Sequence, residues 1–297
     1  MMRLSVVFLM MHLCWPATGS KAEKGCYEPW LLERAEVALD EMNKNRKEGY
    51  ILKLDRLYDF SMEPKGETGT DYNFFMDVVE TECHVLSRKP FKSCEVYGVY
   101  GVRVYGRCVI SMGPHEMVTR YNCALLKAKP SAIHTRCPDC PTDIDLDSND
   151  MEKVKLTLQQ FNSKSGWLKY FALLNVTKAT MQWVVGPSYF FQYTIQETIC
   201  TKCMTNVNVA HCKMDKSESA RVGFCKASHW SRHNFEPFLI DVNCEIYEPD
   251  RWGDQPKPLL GSVEVLTSAC TLAPRLPPKS KNCPGNSIIP REMWFGT

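Results

Sequence analysis

The chain repeats its cysteines. Glu80-Thr81-Glu82-Cys83 and Glu197-Thr198-Ile199-Cys200 lie 117 positions apart. At the same offset, Asp71-Tyr72-Asn73-Phe74 faces Ser188-Tyr189-Phe190-Phe191. Upstream, Leu39-Asp40-Glu41-Met42-Asn43 faces Leu158-Gln159-Gln160-Phe161-Asn162; downstream, Cys94, Cys108 and Cys123 face Cys212, Cys225 and Cys244 at nearly constant offset. Several matching cysteines at matching spacing mean a duplication, and a period this long means two whole domains rather than a stack of short repeats. The 297 residues suffice for two domains of about 100–120 residues each.

Each repeat reads in the same coarse order. An amphipathic helix opens it, with Leu31, Ala35, Ala38 and Met42 on one face in the first unit and Met151, Val154, Leu158 and Phe161 in the second. Asp147, Ser148 or Asn149 serves as cap of the second helix. Strands follow. Tyr189, Phe191, Tyr193 and Ile195 alternate with Phe190, Gln192, Thr194 and Gln196, the period of a strand with one buried face. Residues 95–108 are rich in Val, Tyr and Gly, as bent or paired strands are. The expected class is α+β, with one helix on an antiparallel sheet in each unit. From about residue 249 prolines recur at 249, 256, 258, 274, 277, 278, 284 and 290, so a largely irregular tail is expected.

The N-terminus reads as a secretory signal over 1–22. Arg3 precedes an apolar run at 4–15 that is too short to span a bilayer, and small residues at Gly19 and Ala22 suit cleavage. Secretion implies an oxidising compartment. Cys14 would leave with the signal, so 14 of the 15 cysteines remain, an even number suited to a disulfide framework. Loss of Arg3 and Lys21 would leave 34 basic and 34 acidic residues. A neutral chain argues against nucleic acid as partner, and no later segment is apolar enough for a membrane span. Asn175-Val176-Thr177 is a glycosylation sequon and places Asn175 at the surface. Cys83 with Cys94 and Cys108 with Cys123 would staple the late strands of the first unit, and Cys200 with Cys212 and Cys225 with Cys244 those of the second. Cys203 would pair with Cys270 or compete with Cys200 for Cys212, and Cys26 and Cys283 would join the ends; sequence alone leaves the connectivity open.

Between the two units stands Cys137-Pro138-Asp139-Cys140-Pro141. In an oxidising compartment its simplest form is a small disulfide ring that presents one carboxylate, Asp139, on a rigid loop. Three plainer readings compete. A thioredoxin-like redox pair would need a βαβ context that is missing. Half of a structural zinc site would need a second Cys or His pair at suitable spacing. A plain staple with a solvated Asp139 needs nothing more.

These residues resemble the fetuin family, and within it the fetuin-B group. Two helix-over-sheet units with two late disulfides each look like tandem cystatin domains. The stretches that carry the likeness are Cys83-His84-Val85-Leu86-Ser87-Arg88-Lys89, Cys137-Pro138-Asp139-Cys140-Pro141 and Gln182-Trp183-Val184-Val185-Gly186-Pro187-Ser188-Tyr189-Phe190. The likeness spans roughly residues 26–247, and Cys283-Pro284-Gly285 looks like a terminal cysteine that closes back on the first. It implies cystatin-like domains over 23–136 and 142–248, a linker at 137–141 and a Pro-rich tail at 249–297. It also implies a monomeric inhibitor of astacin-type zinc metallopeptidases, without a cofactor, whose Asp139 binds the target enzyme's zinc. The implied setting is plasma or egg-associated fluid, with control of an egg-coat protease around fertilisation or hatching. Cys203 and Cys270 depart from the family's pattern.

Gln182-Trp183-Val184-Val185-Gly186 also fits the Gln-x-Val-x-Gly hairpin of papain-inhibiting cystatins. That role needs a glycine before the helix and a Pro-Trp in a second hairpin, where this chain has residues 142–149 without glycine and His229-Trp230. Cysteine-protease inhibition is therefore the alternative, and the hairpin, through Pro187, is expected to flank Asp139; packing of Trp183 on its own domain is the plainer reading. No His-Glu-x-x-His, Gly-x-Ser-x-Gly or phosphate-binding glycine loop occurs, and the cysteines are taken up by bridges, so an enzyme is not expected. His229 and His233 read as surface residues. A mineral-binding plasma carrier would need an acidic face; Asp77 is out of phase with Glu80 and Glu82 on their strand, which speaks against one.

Overall fold

The computed structural model describes residues 25–96, 104–184, 186–205, 208–230, 239–249, 259–267 and 275–289. The signal segment, Val185, His233 and Cys270 lie outside the described residues.

Helix α1 (Pro29–Asn45) starts on Pro29, whose fixed φ suits the first helical turn, and buries Leu31, Ala35, Ala38, Leu39 and Met42. These side chains form one core with Leu52, Leu54, Leu57, Phe74, Met76 and Ile110. Those partners stand on β1 (Tyr50–Pro64), β2 (Thr70–His84) and β3 (Tyr105–Met112), which continue antiparallel into β4 (Val118–Lys127). A short helix α2 (Pro130–Arg136) and a two-residue strand β5 (Thr142–Asp143) lead into the second unit. There α3 (Ser148–Lys164) packs on β6 (Lys169–Trp183), β7 (Pro187–Thr201), β8 (Val222–Trp230) and β9 (Leu239–Tyr247). Asp147 caps α3 by accepting from the Asp150 N–H at 2.7 Å. Val154 and Leu158 are buried beneath it, while Met151 and Phe161 are only half-buried. Phe191, Tyr193 and Ile195 point inward from β7.

The duplication has a physical core. Asn43, near the end of α1, donates to the Leu52 carbonyl at 2.8 Å and accepts from the Leu52 N–H at 3.0 Å. Asn162, its counterpart on α3, makes the same two bonds to Phe171 at 2.8 and 2.9 Å. Each amide thus clamps its helix to a buried strand backbone nine residues on. Thr81 and Thr198 repeat a second device, donating from β2 to the Ile51 carbonyl at 2.8 Å and from β7 to the Tyr170 carbonyl at 2.9 Å.

Among the described residues, six disulfides join Cys26–Cys283, Cys83–Cys94, Cys108–Cys123, Cys137–Cys140, Cys200–Cys212 and Cys225–Cys244. Cys108 and Cys123 stand directly opposite each other on β3 and β4, as do Cys225 and Cys244 on β8 and β9. Cys203 is exposed and forms no disulfide among the described residues, and Cys212 pairs with Cys200, so Cys203 does not compete for it.

The described part of the tail is largely irregular, but it holds one strand that the proline pattern does not forbid. Residues 259–273 contain no proline, and within them β10 (Leu260–Thr267) lies parallel to β4 at the edge of the first sheet. Beyond it the chain returns to β1. Asp59 accepts from the Lys279 and Ser280 N–H groups at 2.9 and 3.2 Å, Asp55 accepts from the Ile289 N–H at 3.2 Å, and Cys283 reaches Cys26. The tail is thus bound to the first unit rather than trailing from the second.

The two units meet through aromatic rings. His84 stacks on Phe224 with centroids 4.7 Å apart, and Tyr50 stands edge-on to both. The Tyr50 hydroxyl donates to Gln192 Oε1 at 2.6 Å. Lys226–Glu82 and Lys89–Glu245 ion pairs, at 2.9 and 3.0 Å, rim this contact.

Candidate functional site

The linker ring folds from the residue upward. α2 ends as the Cys137 N–H donates to the Ile133 carbonyl at 2.8 Å. The chain then turns: the Cys140 N–H donates to the Cys137 carbonyl at 3.1 Å, across a turn with Pro138 in its second position and Asp139 in its third. Proline presets the φ of that second position. The Cys137–Cys140 disulfide closes the same four residues covalently. Cys140 is buried and anchors the ring, whereas Pro138 and Asp139 are exposed at its tip. Pro141 is half-buried and passes the chain into β5.

β5 fixes the ring to the second sheet. Thr142 pairs with Met181 and Asp143 with Thr180 at the end of β6, and the Ile144 N–H donates to the Ala179 carbonyl at 3.1 Å. Lys127, at the end of β4, holds Asp143 at 2.8 Å and ties the first unit to the same strand. The Thr142 hydroxyl lies 3.3 Å from His134 Nε2 on α2. The Gln182 side chain reaches across from β6 and donates to the Asp139 carbonyl at 2.7 Å.

The sheet's register brings apolar residues to the same end. Trp183 opposes Pro187 where β6 turns into β7, Ser188 opposes Trp230 on β8, and Trp230 opposes Leu239 on β9. Trp183 and Val184 are 63% and 58% exposed, and Leu239 is 57% exposed. Trp183 therefore projects outward rather than packing on its own domain. Gly186 closes the turn with φ of +148°, a conformation that side chains disfavour. The arrangement is a carboxylate on a closed ring, flanked by an exposed hairpin and further apolar side chains. An exposed carboxylate on a closed ring, tied through Gln182 to a hairpin with exposed Trp183 and Val184, suits insertion into a cleft of another protein.

Other residues singled out from sequence fall elsewhere. Asn175 is exposed on β6, and the hydroxyl of Thr177, two residues on, lies 3.1 Å from Tyr50 at the junction of the units. His229 is buried, not at the surface, because β8 turns it inward against Tyr189. Asp77 is held by Arg56 and Arg275, and Glu82 by Lys226. Glu80 lies among Lys178, Arg46 and Lys127, and its burial pushes its carboxyl upward. Asp77 and Glu82 are thus paired with cations of the chain itself and Glu80 sits among basic side chains, so the three make no open acidic face. Sequence spacing does not reveal the Gln182 contact, and for α2 it offers Pro130, a fitting first helical residue.

The cystatin domain family matches residues 140–233. Human fetuin-B is 36% identical over 233 residues, which cover 76% of this chain and 59% of that protein. The chain thus spans about 59% of the length of the curated relatives it matches. Among solved structures, mouse fetuin-B in an inhibitory complex with human meprin beta is similar, with a TM-score of 0.69, 32% identity, and coverage of 86% of this chain and 81% of that one. Mouse fetuin-B in complex with crayfish astacin gives a TM-score of 0.63 and 31% identity over 82% of this chain and 76% of that one. With its duplicated helix-on-sheet units, its disulfides and these relatives, the chain belongs to the fetuin family, in its fetuin-B branch.

Proposed function

We propose that the protein inhibits astacin-type zinc metalloendopeptidases by inserting the 137–141 ring into the target's active-site cleft. The observation that carries this reading is the exposed Asp139 at the tip of a turn closed by both a disulfide and a hydrogen bond. A catalytic zinc has three protein ligands and an open position that holds the attacking water. The Asp139 carboxylate would take that position as fourth ligand, at about 2.0–2.2 Å, and exclude the nucleophile. The zinc in this reading is the enzyme's, and the chain itself supplies the ligand and a surface, not catalysis. Because the ring is already closed by its disulfide and hydrogen bond, little conformational freedom of the ring is lost on docking. Trp183, Val184, Gly186 and Pro187 flank the ring and would contact the cleft rim. Fetuin-B complexes with astacin and meprin beta support the choice of enzyme class.

Cystatin-type inhibition of cysteine proteases is favoured by one observation, the exposed tip at Trp183 and Val184. Against it, Gln182 is engaged with the ring and residues 142–144 are paired to β6, so the segment before α3 is not free to act as a separate wedge. The six disulfides suit an oxidising, extracellular setting, and glycosylation of Asn175 is part of the same reading. So is action in plasma or egg-associated fluid on an egg-coat protease. The direct test is inhibition of a purified astacin-type peptidase by wild type and by Asp139→Asn. Retained inhibition in the variant would sink the zinc-directed role.

A further inference from the structure

We propose that Gln182 is a positioning residue that aims Asp139, acting through the ring rather than by touching the target enzyme. The proposal rests on the inhibitory reading above and deepens it. Sequence alone assigns Gln182 to a protease-facing hairpin, as the first residue of Gln-x-Val-x-Gly. The structure turns its amide sideways instead, and its Nε2 donates to the main-chain carbonyl of Asp139 at 2.7 Å.

That carbonyl belongs to the peptide joining Asp139 to Cys140, on the far side of Asp139 from Pro138. The disulfide and the Cys140–Cys137 hydrogen bond close the turn, but neither binds this carbonyl. Four-residue turns of closely similar closure differ in the rotation of their peptides. Pinning the carbonyl sets ψ of Asp139, and with it the direction in which the Asp139 side chain leaves the ring. Gln182 is well placed to do so. It stands opposite Ser188 in the β6–β7 ladder, one residue past Met181, which pairs with Thr142 of β5. Its own backbone is therefore fixed by the sheet that also holds the ring's exit. The donor is rigid and the group it restrains is exposed, as pre-organisation of a ligand residue requires.

The experiment compares wild type, Gln182→Ala, Gln182→Glu and Gln182→Arg. Association and dissociation rates are measured against an astacin-type peptidase, and deuterium uptake of the 137–141 peptide is measured in the free inhibitor. Gln182→Glu keeps the shape but sets an acceptor against the carbonyl, whereas Gln182→Arg restores a donor. A positioning role predicts a smaller competent fraction of inhibitor. Association should slow by roughly three- to tenfold in Gln182→Ala, and more in Gln182→Glu, with dissociation nearly unchanged. Gln182→Arg should recover most of the loss. Uptake at 137–141 should rise in Ala and Glu at unchanged thermal stability. A direct contact with the enzyme would instead raise the dissociation rate, and would leave free-state uptake unaltered. Either of those results overturns the proposal while the Asp139 mechanism stands. Unchanged uptake overturns it even if no enzyme is inhibited, whereas loss of inhibition by wild type itself would overturn the inhibitory reading.

Discussion

His84 is a buried residue whose chemistry departs strongly from its ordinary state. It is 2% exposed, its Nδ1 accepts from the Leu86 N–H at 3.3 Å, and its Nε2 is buried among the described residues without a hydrogen-bond partner. Burial, with Arg46 nearby, pushes its pKa down to about 4. The folded chain therefore binds this proton less readily than the unfolded chain, whose imidazole titrates near 6.5. The resulting stabilisation is complete above pH 6.5 and is lost as pH falls toward about 4. We predict that the thermal midpoint drops over this window, and that His84→Phe flattens the slope. An equally steep slope in the variant would show that another group is responsible. The paired asparagines give a second test. Asn43→Ala or Asn162→Ala leaves both a buried N–H and a buried carbonyl without partner, at a cost of about 2–4 kcal/mol each by urea unfolding. An effect below about 0.5 kcal/mol would mean that the clamp is not what the duplication preserves.

At the scale of elements, the tail and the hairpin carry the sharpest expectations. Removing the Cys26–Cys283 bridge as a double serine variant should cost about 2–4 kcal/mol and expose residues 275–289 to proteolysis, with β10 staying paired to β4. Much of this level was legible in sequence. Helix faces followed from spacing, because Leu31, Ala35, Ala38 and Met42 recur at helical period, and β7 followed from alternation at Phe191, Tyr193 and Ile195. What escaped was whatever depends on distant partners. β10 lacks strict alternation, and only its parallel pairing with β4 makes it a strand. Thr157 would suit the outside of a helix, yet it is buried because Tyr193 meets its hydroxyl at 2.9 Å. The ring that carries Asp139 is legible from Cys137-Pro138-Asp139-Cys140 alone, whereas the link from Gln182 to it depends on the pairing of β5 with β6.

For the whole molecule, the question is what holds two similar units at one angle around the ring. The aromatic contact of Tyr50, His84 and Phe224 is buried, while the Lys226–Glu82 and Lys89–Glu245 pairs are exposed. Exposed pairs contribute about 0–1 kcal/mol, whereas deletion of a buried phenyl ring costs about 3–5 kcal/mol. Phe224→Ala should therefore loosen the junction, read as faster hydrogen exchange in β2 and β8, and Lys226→Ala should not. Loosening by the lysine change alone would reverse this ranking. The ring is tied to both units, to the second through β5 and Gln182 and to the first through Lys127–Asp143. A fixed junction thus presents Asp139 and the Trp183 hairpin together. The measurement that tests the account most directly is titration of an astacin-type peptidase with wild type and with Asp139→Asn, an isosteric change that leaves the ring intact and removes the charge. The account predicts strong inhibition by wild type and a loss of at least about a hundredfold in the variant, about 2.7 kcal/mol of zinc-directed binding. Equal inhibition by both proteins, or none by wild type, would contradict it.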